Sequence, residues 1–151
     1  MATTKTQLPN LTETAATGPA GGPETKRSFH HIALGDHTAR VMARHWLPAS
    51  GDGPLLFAVH GLTGTGLDFA YLAQRLAADG WHVVAPDLPG HGRSSHLGRR
   101  DAYSLSRMVS AVETLHAIHA KPGEKANFLG SSMGSRLIAA FLAAYQVPAR
   151  A

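Results

Sequence analysis

Phe128-Leu129-Gly130-Ser131-Ser132-Met133-Gly134-Ser135 is the stretch on which the fold turns. Phe128 and Leu129 close a short apolar run, and Ser135 to Tyr145 have the spacing of a helix. Between them lies Gly130-x-Ser132-x-Gly134, a serine set between two glycines where a strand passes into a helix. A serine hydroxyl is a weak nucleophile until it is held exposed and offered to a base. A tight strand-to-helix turn exposes it, and the flanking glycines remove side chains that would clash there. Ser132 is therefore the candidate nucleophile, Ser131 a structural residue and Ser135 a first-turn residue of the helix. Taken alone, Ser132 also reads as an ordinary turn serine, so the weight falls on its surroundings.

Working back from this turn, strands and helices alternate. Ala126 to Leu129 reads as a parallel strand. Before it, Leu105, Met108, Val109, Val112 and Leu115 share one face of a helix stopped by Pro122-Gly123. Trp81 to Ala85 and Leu55 to Val59 are unbroken apolar runs, the mark of strands buried on both faces. Phe69, Leu72, Ala73, Leu76 and Ala77 repeat at helical spacing between those two strands, with Gly80 as the C′ residue. Phe29 to Leu34 and Ala39 to Leu47, joined at Gly35-Asp36, predict a hairpin entering the sheet. The helix after Ser132 is apolar almost all round, which predicts burial on most sides. The pattern as a whole predicts an α/β fold, a mostly parallel sheet with an N-terminal antiparallel hairpin and helices on both faces.

Consecutive parallel strands end at one rim of such a sheet, and ligands bind there. Three of those ends carry unusual residues. His60-Gly61-Leu62-Thr63-Gly64-Thr65-Gly66 follows the first buried strand, Asp87-Leu88-Pro89-Gly90-His91-Gly92-Arg93-Ser94 the second, and Ser132 the third. Acyl transfer needs two N–H groups aimed at the developing oxyanion. The Met133 N–H at a helix N-terminus is one candidate. The Leu62 N–H, approached through the glycine-rich turn, is the other. Asp87 and Arg93 read as braces of their loop, and His60 as a hydrogen-bonded shaping residue. His91 and His96 lie at the same rim and are weighed as a base, against the expected order of residues.

With these three segments in order, the chain resembles the α/β-hydrolase superfamily from about Phe29 to Ala151. The His60-Gly61 turn looks like the family's oxyanion strand end. Asp87-x-x-Gly90-x-Gly92-x-Ser94 is similar to the loop after its fourth strand, and Gly130-x-Ser132-x-Gly134 matches its nucleophile elbow. The resemblance implies Ser132 as nucleophile, the Leu62 and Met133 backbone amides as oxyanion hole, a small-molecule acyl substrate and no cofactor. Members that open epoxides or displace halide carry Asp in place of this serine, so Ser132 argues against those reactions. The family's acid and histidine follow its serine. After Ser132 this sequence holds no Asp, Glu or His. The expectation is the N-terminal half of a hydrolase domain over 28–151, truncated before the later strands, behind a disordered segment over 1–27.

The totals agree with a single domain. The 151 residues are 44% hydrophobic and 16% charged, ordinary for a globular protein. The net charge of +4 comes from 14 scattered Lys and Arg, so a nucleic-acid partner is not expected. No apolar run reaches the length of a membrane span. Without cysteine there is neither a disulfide framework nor a thiolate zinc site, which fits a reducing, cytoplasmic setting. His30-His31, and His91 with His96, lack the spacing of a metal site, so no metal is expected. His116 and His119 read as a surface pair on their helix. Two other classes remain. Gly61-x-x-Gly64-x-Gly66 followed by Asp87 imitates the dinucleotide fingerprint of an NAD(P)-binding Rossmann-like oxidoreductase, with altered glycine spacing. An inactive hydrolase remnant is the second.

Overall fold

A computed structural model describes Leu11–Glu13 and residues 25–145. The hairpin is made by β2 (Thr25–Leu34) and β3 (His37–Trp46). Leu34 pairs directly with His37, so the connection is the two-residue turn Gly35-Asp36, where Gly35 takes the left-handed φ of 64° that favours glycine. β1 (Leu11–Glu13) pairs antiparallel with β2, Leu11 standing opposite Phe29. β3 continues the antiparallel pairing onto β5 (His82–Pro86).

From there the sheet is parallel. β4 (Leu55–Val59) lies between β5 and β6 (Phe128–Gly130), giving the order β1-β2-β3-β5-β4-β6. The chain leaves β4 through α1 (Ala70–Ala78) to reach β5 on one side. It then returns through α2 (Leu105–His119) to reach β6 on the other. The direction of winding thus reverses at β4, and the loops after β4 and β6 face a common crevice.

Each helix buries the face that its sequence offers. α1 presses Ala73 and Ala77 onto Trp46, Ala58, Val83 and Ala85 on one face of the sheet. α2 and α3 (Met133–Tyr145) cover the other, where Met108, Val112, Leu115, Leu137 and Phe141 meet Val41, Phe57, Val59 and Val84. α1 ends as expected at Gly80, with φ 96°. The Gly80 and Trp81 N–H groups turn back to the carbonyls of Ala77 and Leu76, at 3.1 and 2.9 Å. Ser104 caps α2 by accepting from the Arg107 N–H at 3.4 Å.

Three expectations need correction. Most of the segment expected to be disordered over 1–27 lies outside the described residues, yet Leu11–Glu13 pairs as a strand and β2 already begins at Thr25. α3 is not buried on most sides. Leu137, Ile138 and Phe141 face the core, while Ala139, Ala143 and Ala144 are exposed. Alanine tolerates either setting, so an alanine-rich face looks buried in the sequence without having to be. His116 and His119 are not a surface pair either. The end of α2 docks on the sheet, setting the His119 ring 4.8 Å from His30 and 5.0 Å from His45. Among the described residues no helix is long and apolar enough to cross a membrane.

Candidate active site

Ser132 stands at the end of β6 with φ 50°, the left-handed region that non-glycine residues rarely enter. It is exposed, and it is the one non-glycine residue with positive φ among those described. The turn is drawn tight from both sides. The Ser131 N–H donates to the Val59 carbonyl at 3.1 Å, tying the bend to β4. The Gly134 N–H donates to Ser131 O at 2.9 Å and the Ser135 N–H to Ser132 O at 3.1 Å, which starts α3. Both flanking glycines are required by contact. A Cβ on Gly130 would lie 2.6 Å from the Ser135 backbone, and one on Gly134 would collide with the Val59 carbonyl.

The loop after β4 comes up against this bend. A Cβ placed on Gly61 would lie 3.4 Å from Ser132 Cβ and from Ser131 O, so the Gly61–Leu62 peptide borders Ser132. Neither the Leu62 N–H nor the Met133 N–H makes a hydrogen bond among the described residues. Two backbone donors adjoining one hydroxyl are thus left for a ligand, one of them at the positive end of α3.

The remaining rim residues hold these parts in place. His60 is fully buried; its Nε2 accepts from the Leu88 N–H at 3.0 Å and its Nδ1 donates to Gly61 O at 2.6 Å. That pattern fixes one neutral tautomer, and burial pushes the imidazole below its ordinary value. His60 is a brace. Asp87 is also fully buried, accepting from the Gly66 N–H at 2.8 Å and the Arg93 N–H at 2.9 Å. A dinucleotide site would need that carboxylate facing a ribose, and here both oxygens serve the loops. Ser94 is bound in as well, taking the Met42 N–H at 3.0 Å while its hydroxyl donates to Asp87 O.

A cavity of about 500 Å³ opens over Ser132, lined by Leu62, Leu105, Met133, Arg136 and Leu137. The structure therefore brings together Ser132, Leu62, Met133, Gly61, Gly130 and Gly134, and sets His60 and Asp87 behind them. The sequence reading missed Leu105 and Arg136. Arg136 was available from spacing, one helical turn after Ser132; Leu105 comes from a distant helix and gave no signal. No histidine hydrogen-bonds Ser132 among the described residues, and His91 turns both ring nitrogens to carbonyl oxygens. Among the described residues no three His, Cys, Asp or Glu side chains are grouped to hold a metal ion.

Residues 54–151 match the model of the family described as the alpha/beta hydrolase fold. A 3-hydroxybutyrate-oligomer hydrolase of Cupriavidus necator is 39% identical over 93 residues, covering 62% of this chain and 31% of the relative. A monoacylglycerol lipase of Mycolicibacterium smegmatis is 34% identical over 122 residues, covering 79% of this chain and 42% of the relative. Epoxide hydrolase B of Mycobacterium tuberculosis is 32% identical over 82 residues, 54% of this chain and 23% of its own. Among solved structures, the thioesterase domain from the curacin biosynthetic pathway superposes with a TM-score of 0.69 at 28% identity. That match covers 82% of this chain and 41% of the thioesterase chain. This chain thus spans less than half the length of the relatives it matches.

Proposed function

Because the chain belongs to the α/β-hydrolase fold family, we propose that it carries the nucleophile and oxyanion hole of a serine hydrolase acting on a small acyl substrate. Ser132 Oγ attacks the carbonyl carbon and loses its proton to a base. The oxygen that becomes negative is met by the Leu62 and Met133 N–H groups, which have no partner among the described residues. Collapse of the tetrahedral intermediate expels the alcohol or thiol and leaves an acyl-enzyme, which water then hydrolyses. The single observation that carries this reading is Ser132 held at φ 50° between two amides without partners.

Chemistry favours acyl transfer over epoxide opening. An aspartate that opens an epoxide forms an ester, which water can cleave. A serine doing the same would form an ether and stop after one event. The names of two relatives, the oligomer hydrolase and the monoacylglycerol lipase, agree with an oxygen ester. The cavity lining is mostly apolar side chains, which suits the hydrocarbon part of an acyl group. Among the described residues no base stands in hydrogen-bond contact with Ser132.

Incubation with 4-nitrophenyl butyrate, acid quench and peptide mass spectrometry test the reading. A butyryl group on the Ser132 peptide, absent in Ser132→Ala, is the expected result. An acyl group found only on other residues, or ester cleavage undiminished in Ser132→Ala, contradicts it.

A further inference from the structure

We propose that His91 is a positioning residue for the oxyanion hole, tethering the carbonyl of Leu62, the residue whose N–H receives the substrate oxygen. The inference rests on the serine-hydrolase reading and concerns a part of the site that reading leaves unexplained. The glycine-rich loop is anchored at both ends. His60 fastens its start to Leu88, and Asp87 fastens Gly66 at its close. Between those anchors the Gly61 carbonyl, in the same peptide as the Leu62 N–H, accepts from His60 Nδ1 at 2.6 Å and from the Gly64 N–H at 3.0 Å, while Leu62 itself is 67% exposed. The next peptide, which carries the Leu62 carbonyl, makes no backbone hydrogen bond among the described residues, and a loose peptide beside the donor weakens the advantage of preorganisation.

His91 supplies the hold on that second peptide. Its Nε2 donates to the Leu62 carbonyl at 2.5 Å, and Nδ1 faces Pro89 O at 3.0 Å. Both ring nitrogens face backbone carbonyls and neither faces Ser132, so His91 acts as a tether and not as the base. The ring is itself firmly placed. Its residue sits between Gly90 and Gly92, both left-handed at φ 81° and 49°. The His91 N–H donates to Leu88 O at 2.9 Å, and its carbonyl accepts from the Ser94 N–H at 3.0 Å. The ring also leans on His60, with centroids 4.9 Å apart. The Leu62 N–H and C=O flank a single Cα. The bonds to Gly61 O fix the peptide before that Cα and His91 fixes the one after it, so the N–H is held from both sides.

Two measurements on the whole chain test this. In ¹⁵N-labelled protein, His91→Leu should shift the Thr63 amide, whose peptide bears the Leu62 carbonyl, and the Leu62 amide beside it. The Gly66 amide, held by Asp87, should keep its shift and so reports an intact fold. His91→Gln, which retains a side-chain N–H donor, should restore the Thr63 signal. Unchanged Thr63 and Leu62 signals in a folded His91→Leu protein overturn the proposal. The second readout is the rate of Ser132 phosphonylation by a fluorophosphonate with imidazole as added base. His91→Leu should slow it about tenfold, as expected for a misdirected oxyanion donor, and His91→Gln should recover most of the rate. Equal rates in the wild type and His91→Leu overturn the tether alone. A wild-type chain that is never labelled at Ser132 overturns the hydrolase reading, while the Thr63 and Leu62 signals still judge the tether.

Discussion

At the scale of single residues, the site is a local strain held in place by two close approaches. Ser132 at φ 50° carries a backbone penalty of order 1–2 kcal/mol for a residue with a Cβ. Ser132→Gly should therefore raise the urea midpoint of unfolding while abolishing acylation. A midpoint that stays level or falls would mean that the bend is not strained. Gly134→Ala should act in the opposite sense, because its Cβ would enter the Val59 carbonyl and push α3 away from β4. A loss of about 1–3 kcal/mol is expected from such overpacking, together with loss of Ser132 reactivity, read by urea unfolding and by labelling. A variant as stable as the wild type would refute the close approach. The glycine-serine-glycine pattern made this bend legible in the sequence. What the glycines avoid was not legible, since Val59 lies far away in the chain and meets Gly134 only after β4 and β6 pair.

At the scale of elements, α2 docks on the sheet through histidines. His119 meets His30 and His45 edge to face, and the His45 and His82 rings stack 5.3 Å apart. Ser28 Oγ joins His30 Nε2 at 2.8 Å to His45 Nε2 at 2.7 Å, and His45 Nδ1 lies 3.0 Å from His82 Nε2. Burial, and after it the neighbouring imidazoles, push His45 down to about 3 and His119 down to about 2. Burial is also the leading cause that lowers His30, His82 and His116. These rings are neutral in the fold, whereas the unfolded chain protonates near 6.5. Below that pH the unfolded state takes up protons that the native state refuses. Stability is therefore full above about pH 6.5 and falls as the solution is acidified toward the native values. Each fully neutral histidine contributes a slope of about 1.4 kcal/mol per pH unit in that window. Urea midpoints measured from pH 7.5 to 4.5 should be flat at first and then drop steeply. A His45→Gln, His119→Gln double variant should show a shallower drop. A midpoint independent of pH would contradict the buried cluster. Nothing in the sequence disclosed this arrangement, because its histidines come from four separate elements and each alone resembles a surface residue.

At the scale of the whole molecule, the strand and helix order was legible, and the geometry of the site only in part. Apolar runs at Leu55–Val59 and His82–Pro86, and the helical spacing of Leu105–His119, announced a parallel α/β sheet. The placement of β4 between β5 and β6 follows from crossovers over opposite faces, and only that placement brings Leu62 beside Ser132. Three loops from three strand ends then act as one unit. His60 and Asp87 lock the first to the second, and Ser131 locks the third to β4. The account stands on Ser132 being the reacting atom of that unit. A fluorophosphonate probe, applied with imidazole to supply the base and followed by peptide mapping, asks this directly. Phosphonylation at Ser132, absent from Ser132→Ala and from heat-unfolded protein, is the predicted result. A chain labelled elsewhere, or labelled equally after Ser132→Ala, would contradict it.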